Sequence, residues 1–498
     1  MRITLIQPPK PSYGVEAEAH WELARPLSLH FLAASIEKHT CYEVDIVDLE
    51  HRKFRGVSLD EVFQRSAAAI FGITSTTYTR FEAIKIAKYL KKAFSQSLIV
   101  AGGVHFMGCP KDTLDHVAEI DVIVRGEGER TIVDLINAVA KGADFAGIKG
   151  ITYRRDGKIL ESPDQTYFEN LDDIPHYDKF SWEEYPEYLF GSPERVPALS
   201  ILSSRGCPYH CVFCSKAGMK YRLRSAKRVV DEMEYFMGKF DIHAFNFLDL
   251  TFTANPMHTR AVCEEIIGRK LGIRWWCESR ANIDLGLLPL MKKAGCSALV
   301  IGVETGSPKI LSQISKGITI EQVIAIVKRC SDLGINISPY FMFSHENERM
   351  KDVKMTLDLI RRLGRFIASS SFQPTMIFPG TQLEENARHA GILPPDFSWT
   401  HHYDAEVNRE LGQLPNIPLY MDKLHPAELK VALREYRRIW ETTHAADFAA
   451  DLSMKELLCK ICETLLHGNE SIKYLFSMEY YRKFIEAKVK GRSRKHAA

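Results

Sequence analysis

The sequence predicts an α/β fold: an N-terminal doubly wound domain, a second series of strand–helix units, and a mostly helical C-terminal end. Short apolar runs alternate with helical periodicity over about the first 140 residues, the alternation resumes near residue 198, and the last hundred or so residues carry amphipathic helical spacing. The chain has 498 residues, is 45% hydrophobic and 26% charged, and is therefore globular with two to four domains. A net charge of +2 argues against a dominant nucleic-acid or membrane footprint. The segment Met1-Arg2-Ile3-Thr4-Leu5-Ile6-Gln7-Pro8 enters a strand at once and lacks the longer apolar core of a signal peptide, and no apolar stretch approaches eighteen residues. A cytoplasmic protein without a transmembrane segment is expected.

In the first part the strands are expected at 3–6, 43–47, 69–74, 97–101 and 121–124, with helices at 27–38, 59–68, 80–93 and 130–140. A doubly wound sheet takes its ligand against the loops at the carboxyl ends of its strands. Three of these are Thr74-Ser75-Thr76-Thr77, Gly102-Gly103-Val104-His105 and Arg125-Gly126-Glu127-Gly128-Glu129. Glycine lets the backbone approach a ligand, and hydroxyls and amides offer hydrogen bonds, although any one glycine also suits a tight turn. Residues 147–161 then read as a hairpin around Arg155-Asp156-Gly157. Pro163, Pro175, Pro186, Pro193 and Pro197 punctuate an aromatic stretch with Trp182, Tyr185 and Tyr188, which reads as a linker in a position to cover an adjacent site.

Six further strands are expected at 198–202, 244–248, 273–277, 298–303, 335–343 and 370–377. Directly after the first stand Cys207, Cys211 and Cys214, at C-x3-C-x2-C spacing. Thiolates are soft ligands suited to iron–sulfur clusters or zinc. A four-iron cube normally takes four of them, and three leave one iron open to chelate a small molecule. A structural zinc site closes with paired clusters, and no second pair follows within the next forty residues. The 11 cysteines form an odd, sparse set that makes a disulfide framework the poorer reading. Cys41, Cys109, Cys263, Cys277, Cys296 and Cys330 read as small buried hydrophobes, and Cys459-Lys460-Ile461-Cys462 as part of a helical core run, with a redox role as the alternative. At the C-terminal end, 424–440 and 457–466 are amphipathic, and Tyr474, Phe476, Tyr480, Tyr481 and Phe484 form an aromatic group for which core packing is the default.

The cysteine loop, its place after the first of six βα units, and the three strand-end loops upstream together resemble the radical S-adenosylmethionine (SAM) enzymes that carry a cobalamin (B12)-binding domain, the class B radical SAM methyltransferases among them. The resemblance covers roughly residues 1–440. It implies a Rossmann-like cobalamin-binding domain at 1–145, a hairpin and linker at 146–197, a partial (β/α)6 radical SAM barrel at 198–400 and a helical cap at 401–498. It further implies that Cys207, Cys211 and Cys214 hold a 4Fe-4S cluster, and that Phe213, Asp249, Ser279, Arg280, Glu304 and Glu348 contact SAM. Cobalamin is expected against Thr74, Ser75, Gly102, Gly103, His105, Gly126, Glu127 and Gly128, with His105 read alternatively as a surface loop residue. No catalytic residue is identified; His345 and Glu346 are candidates for proton transfer or substrate contact.

Two departures from the family pattern carry expectations. No Asp-x-His-x-x-Gly loop occurs in the first 150 residues, so no N-terminal histidine is expected to displace the cofactor's own base, and a domain that holds no cobalamin stays open. Where relatives have Gly-x-Pro-Gly-Glu after the fifth barrel strand, this chain has Ser344-His345-Glu346-Asn347-Glu348, so a changed adenine pocket or backbone path is expected; Phe378-Pro379-Gly380-Thr381 keeps a turn usual after the sixth.

The resemblance implies methylation of an unactivated carbon or of phosphorus, by a 5'-deoxyadenosyl radical and methylcobalamin. Oxidative cyclisation or rearrangement, as in tetrapyrrole cyclases, is the alternative with the same cofactors, and a non-catalytic cobalamin or redox sensor the alternative from another class. The implied partners are a small-molecule substrate and a reductant such as flavodoxin or ferredoxin.

Overall fold

The computed structural model describes residues 1–444 apart from 11–24, 55, 65–66, 176–178, 181–186, 190–195, 217–218, 404–405, 412 and 414–415. Trp182, Tyr185, Pro186, Pro193, Cys459, Cys462 and the aromatic group from Tyr474 to Phe484 lie outside the described residues.

The first sheet contains β1 (Arg2–Gln7), β2 (Glu43–Asp48), β3 (Ile70–Thr74), β4 (Leu98–Gly102), β5 (Val122–Val124), β6 (Ile151–Arg155) and β7 (Lys158–Glu161), in the order β2-β1-β3-β4-β5-β6-β7. Strands β1 to β5 are parallel, and β1, β3 and β5 are near-continuous apolar runs because helices cover both faces. Those helices are α1 (Leu27–His39), α2 (Leu59–Phe63), α3 (Arg80–Ala93), the short α4 (Gly103–Gly108) and α5 (Pro110–His116), and α6 (Gly128–Lys141). Two apolar clusters result, one on each side of the sheet: Ile6, Phe71, Ile73 and Ile99 pack under α3, while Ile3, Leu5, Val100 and Val122 pack under α1 and α6. Helix α6 stops at Gly142, which takes the left-handed conformation at φ +61°.

The hairpin expected between the domains is instead part of this sheet. β6 pairs antiparallel with β5, and β7 with β6, so it forms the sheet's edge. Helices α4 and α5 after β4 had no counterpart in the expected elements, and α2 is shorter than expected, ending at Phe63.

The second sheet orders β8 (Glu187–Tyr188), β9 (Pro197–Ile201), β12 (Ala244–Phe247), β13 (Arg274–Arg280), β14 (Cys296–Glu304), β15 (Asn336–Phe343) and β16 (Ser371–Pro374) in chain sequence, with the ribbon β10 (Ser204–Arg205) and β11 (Arg222–Leu223) set apart. From β9 onward its strands are parallel, and register shifts at Trp275/Trp276 and Gly302/Glu304 bend it into an open half-barrel. Helices α7 (Ala226–Phe240), α8 (Pro256–Gly268), α9 (Leu288–Lys293), α10 (Pro308–Gln313), α11 (Ile320–Asp332) and α12 (Met350–Leu363) follow the strands and bury one continuous core that includes Phe245, Phe247, Trp275 and Phe341.

Beyond β16 come α13 (Gln382–His389), α14 (Glu406–Glu410) and α15 (Pro426–Thr443). Helix α15 packs beside α12, and Tyr436 stacks on Phe372 at 5.2 Å, so it lies against the barrel's outer layer. The segment 377–420 joins the two sheets. Cys109, Ile377, Leu383, Trp399 and Tyr420 form one apolar cluster with Phe213 against it. Arg80 donates from Nε to Trp399 O at 2.9 Å, from Nη1 to Thr77 O at 2.6 Å and from Nη2 to Asn416 O.

Candidate functional site

The carboxyl ends of both sheets meet at one cavity of about 440 Å³. From the first domain Thr74, Ser75, Gly102, Gly103, Gly126, Glu127 and Gly128 line it, and from the second Leu202, Ser204, Arg205, Gly206, Lys216, Met219, Leu248 and Leu250. It continues between the sheet and helices α1 and α6 past Leu5, Gly72, Val100, Val124 and Ile132, an apolar slot beside the β1/β3 switch of strand order. Gly103 sits at φ +86°, and a Cβ there would stand 2.6 Å from Ser75 O, so only glycine allows this close turn at the cavity wall. Leu248 and Leu250, both more than a third exposed, present apolar side chains to the same space.

His105 is the exception among the cobalamin candidates. It is fully buried rather than on the surface, with Nδ1 3.2 Å from Thr77 Oγ1 and Nε2 3.7 Å from Cys109 Sγ, and it does not line the cavity. Burial, then the nearby Arg80 guanidinium, holds its imidazole neutral, well below the usual histidine range. It belongs to the packing between α4 and Trp399, whose ring centroid is 6.0 Å away.

The cysteine loop leaves the ribbon at Gly206, whose φ of +78° places its absent Cβ only 2.1 Å from Lys220 O. Cys207 N donates to Met219 O at 3.1 Å and Cys214 N to Cys211 O at 3.0 Å, turning the loop back on itself. Its sulfurs face donors: Arg280 Nη1 lies 3.1 Å from Cys211 Sγ, Lys216 N 3.4 Å from Cys214 Sγ, and Thr251 Oγ1 3.8 Å from Cys207 Sγ. Burial raises the Cys214 thiol above its ordinary value. Among the described residues no three His, Cys, Asp or Glu side chains converge on a single-ion site; a four-iron cube takes one thiolate per corner and so needs donors set further apart. Three soft thiols on one loop, with a guanidinium on one of them, suit an anionic thiolate-bound cluster.

The residues expected around SAM fall into two groups, neither of which lines the cavity. Asp249, fully buried, accepts from Ser203 N at 3.0 Å, Ser203 Oγ at 2.8 Å and Ser204 Oγ, so its carboxylate pins the start of the cysteine loop to β12. Ser279 bonds Thr253 through their hydroxyls. Arg280 stacks on Tyr209 at 3.8 Å and leaves Nε without a partner. The strand β13 runs through Arg280, beyond the expected end at 277, so Ser279 and Arg280 form its last two residues. Glu304 and Lys316 form a buried pair at 2.6 Å, and Lys316 Nζ stands 6.0 Å from the Phe213 ring.

His345, Phe213 and Glu348 also gather at this end of the barrel. The His345 ring is 6.3 Å from Phe213, its Nδ1 is 3.3 Å from Thr375 Oγ1, and its Nε2 has no partner. Burial depresses it to about 3 and raises Glu348, which caps His345 N at 3.0 Å, to about 8. Glu346 instead accepts from Asn386 at 2.8 Å. Ser344 and Asn347, standing where relatives have glycines, take φ of +67° and +56°, the left-handed region a glycine pair would favour. Ser344 Oγ holds its turn by donating to Tyr420 O at 2.5 Å.

Cys109, Cys263, Cys277, Cys296 and Cys330 are buried as expected of small hydrophobes, whereas Cys41 is exposed. The expectations omitted Arg205, Arg222, Lys216, Leu248 and Leu250. Arg205 borders Gly206-Cys207, and the leucines flank Asp249, so adjacency to the expected site residues was the only sequence signal available.

Residues 23–136 match the B12 binding domain and residues 201–360 the radical SAM superfamily. An uncharacterized methyltransferase of Pyrococcus horikoshii is 31% identical over 399 residues, covering 79% of this chain and 84% of that protein. The anaerobic magnesium-protoporphyrin IX monomethyl ester cyclase of Rubrivivax gelatinosus is 30% identical over 371 residues, covering 72% of this chain and 66% of the cyclase. In fold the chain is similar to the radical SAM methyltransferase TsrM of Kitasatospora setae, with a TM-score of 0.70, 21% identity and coverage of 89% and 90% of the two chains. The alternative of a sensor without catalysis is set aside by this kinship with enzymes. The chain belongs to the radical SAM enzymes that carry a B12-binding domain, whose cofactors are a 4Fe-4S cluster, SAM and cobalamin.

Proposed function

We propose that this enzyme methylates an unactivated carbon, or phosphorus, of a small molecule. One observation carries the proposal: the glycine-bearing loops of the first domain and the ribbon of the cysteine loop line the same cavity, so a substrate there lies between both cofactor sites. When bound, the cluster with SAM supplies a hydrogen-abstracting radical and cobalamin supplies the methyl group.

Cys207, Cys211 and Cys214 would hold the cluster, with Arg280 offsetting the charge at Cys211. Glu304, Lys316 and Phe213 stand together where the barrel's strands end, offering charge and an aromatic face to SAM. Gly102, Gly103, Gly126 and Gly128 would let the corrin edge approach the backbone, and the slot past Leu5, Gly72 and Val100 would take the cofactor's nucleotide tail, which needs no histidine from this domain. Leu202, Leu248 and Leu250 would exclude water from the substrate side, protecting reactive species. The reductant is proposed to be of the flavodoxin or ferredoxin class, and the compartment the cytoplasm; among the described residues no helix is long and apolar enough to cross a membrane.

The kinship with the Rubrivivax gelatinosus cyclase favours, as a second reading, oxidative cyclisation or rearrangement with the same cofactors. The test is anaerobic reconstitution with iron, sulfide and hydroxocobalamin, then SAM, reductant and candidate substrates. Methylation yields 5'-deoxyadenosine, S-adenosylhomocysteine and a product heavier by one CH2. A cyclised or rearranged product of unincreased mass, formed without S-adenosylhomocysteine, refutes methylation in favour of the second reading.

A further inference from the structure

A buried joint of four charges ties the loop after β5 to the ribbon of the cysteine loop. Arg205 Nη2 lies 2.7 Å from Glu129 Oε1, and its Nη1 3.6 Å from Glu127 Oε1. Arg222 forks onto both oxygens of Glu127, with Nη1 at 3.0 Å from Oε2, and donates also to Phe168 O at 2.9 Å. The side chains are 4% to 15% exposed, and the guanidinium groups cover aromatic faces, Arg205 over Phe31 at 4.8 Å and Arg222 over Tyr167 at 4.6 Å.

Arg205 and Arg222 stand directly opposite each other across the ribbon. Like charges in that position destabilise an antiparallel pair, so the ribbon depends on carboxylates supplied by the other domain. Glu127 and Glu129, two residues apart at the start of α6, depend on the arginines in return. The ribbon's path in turn fixes Gly206 and the Cys207–Met219 bond at the entry to the cysteine loop. Gly126 to Glu129 and Ser204 to Gly206 face the same cavity from its two sides.

We propose that Glu127, Glu129, Arg205 and Arg222 are positioning residues that couple the two cofactor loops, so that a filled cluster loop tightens cobalamin binding and bound cobalamin steadies the cluster. The inference rests on the cofactor assignment made above. Coupling of this kind is reciprocal, and an effect of about tenfold lies within the usual range.

The experiment is an absorbance titration of the full-length protein with hydroxocobalamin under anaerobic conditions, in cluster-loaded and chelator-stripped forms, with iron release to chelator measured with and without cobalamin. The wild type is expected to bind about tenfold tighter when loaded, and to release iron more slowly when cobalamin is bound. Arg222→Met is expected to bring both ratios close to one, and Arg222→Lys, which keeps the charge but loses the fork, to give intermediate ratios in a protein whose circular dichroism matches the wild type. A wild-type ratio of one overturns the coupling, as does a folded R222M or R222K with the full wild-type ratio. If neither form binds cobalamin while iron loading is normal, the cofactor assignment itself fails and the coupling with it.

Discussion

Replacing Gly206 by alanine tests the path of the chain into the cysteine loop. The residue sits at φ +78°, and a Cβ would stand 2.1 Å from Lys220 O, 2.6 Å from Lys220 C and 2.7 Å from Met219 O, all backbone atoms. An L side chain in the left-handed region costs about 1–2 kcal/mol, and relieving overlap with atoms that cannot rotate away adds about 1–3 kcal/mol. The sum, about 2–5 kcal/mol, lowers the population of the native loop roughly thirtyfold to a few thousandfold at 1.4 kcal/mol per decade. Gly142→Ala is the matched control: φ is +61°, nothing lies within 4 Å of the added carbon, and only the conformational cost of about 1–2 kcal/mol remains. The assay is iron and sulfide per chain after anaerobic reconstitution, together with the rate of iron release to a chelator and urea unfolding. G206A is expected to lose iron quickly while G142A holds it as the wild type does. If G206A retains iron as firmly as the wild type, or G142A is as damaged as G206A, the described path of the ribbon is wrong.

Arg80→Met removes the donors to the Thr77, Trp399 and Asn416 carbonyls at the joint between the first domain and the 377–420 segment, and is expected to cost about 3 kcal/mol in urea unfolding. Glu348 is raised by burial to about 8, so the folded state holds its proton from the unfolded value of about 4.5 upward. The associated stability is complete below about pH 4.5 and lost as pH rises through 8. Glu348→Gln, neutral throughout, is therefore expected to gain on the wild type between pH 5 and 8.5, and equal pH profiles for the two proteins would contradict this. Asn347→Gly keeps the backbone bond to Asp422 at 3.0 Å and is expected to be neutral within about 0.5 kcal/mol. Asn347→Val, a β-branched residue at φ +56°, is expected to cost roughly 1–2 kcal/mol in the same unfolding assay.

Strand positions in both sheets were legible to within a few residues because a buried parallel strand is a short apolar run, and such runs need no distant partner to be recognised. The cysteine triplet was legible for a related reason: three thiols sit within eight residues, so their spacing by itself points to soft-metal chemistry. The hairpin at 150–161 was found, yet its membership of the first sheet was not, because an antiparallel edge and a free-standing hairpin have the same local pattern. His105 shows the same limit. A histidine two residues after a glycine pair looks like a surface loop residue until Trp399, far along the chain, closes over it.

By itself the sequence determined the order of the main parallel strands, the two-part α/β architecture and the loop that carries the thiols, since each rests on periodicity or spacing within a few residues. The tertiary structure alone decided that Asp249 pins the cysteine loop, that Ser344 and Asn347 take left-handed backbone conformations, and that Glu127 meets Arg222 across 95 residues of chain. Such pairings depend on how two domains dock and where each side chain then points, and burying a charge between domains leaves no local period in the sequence to mark its partner.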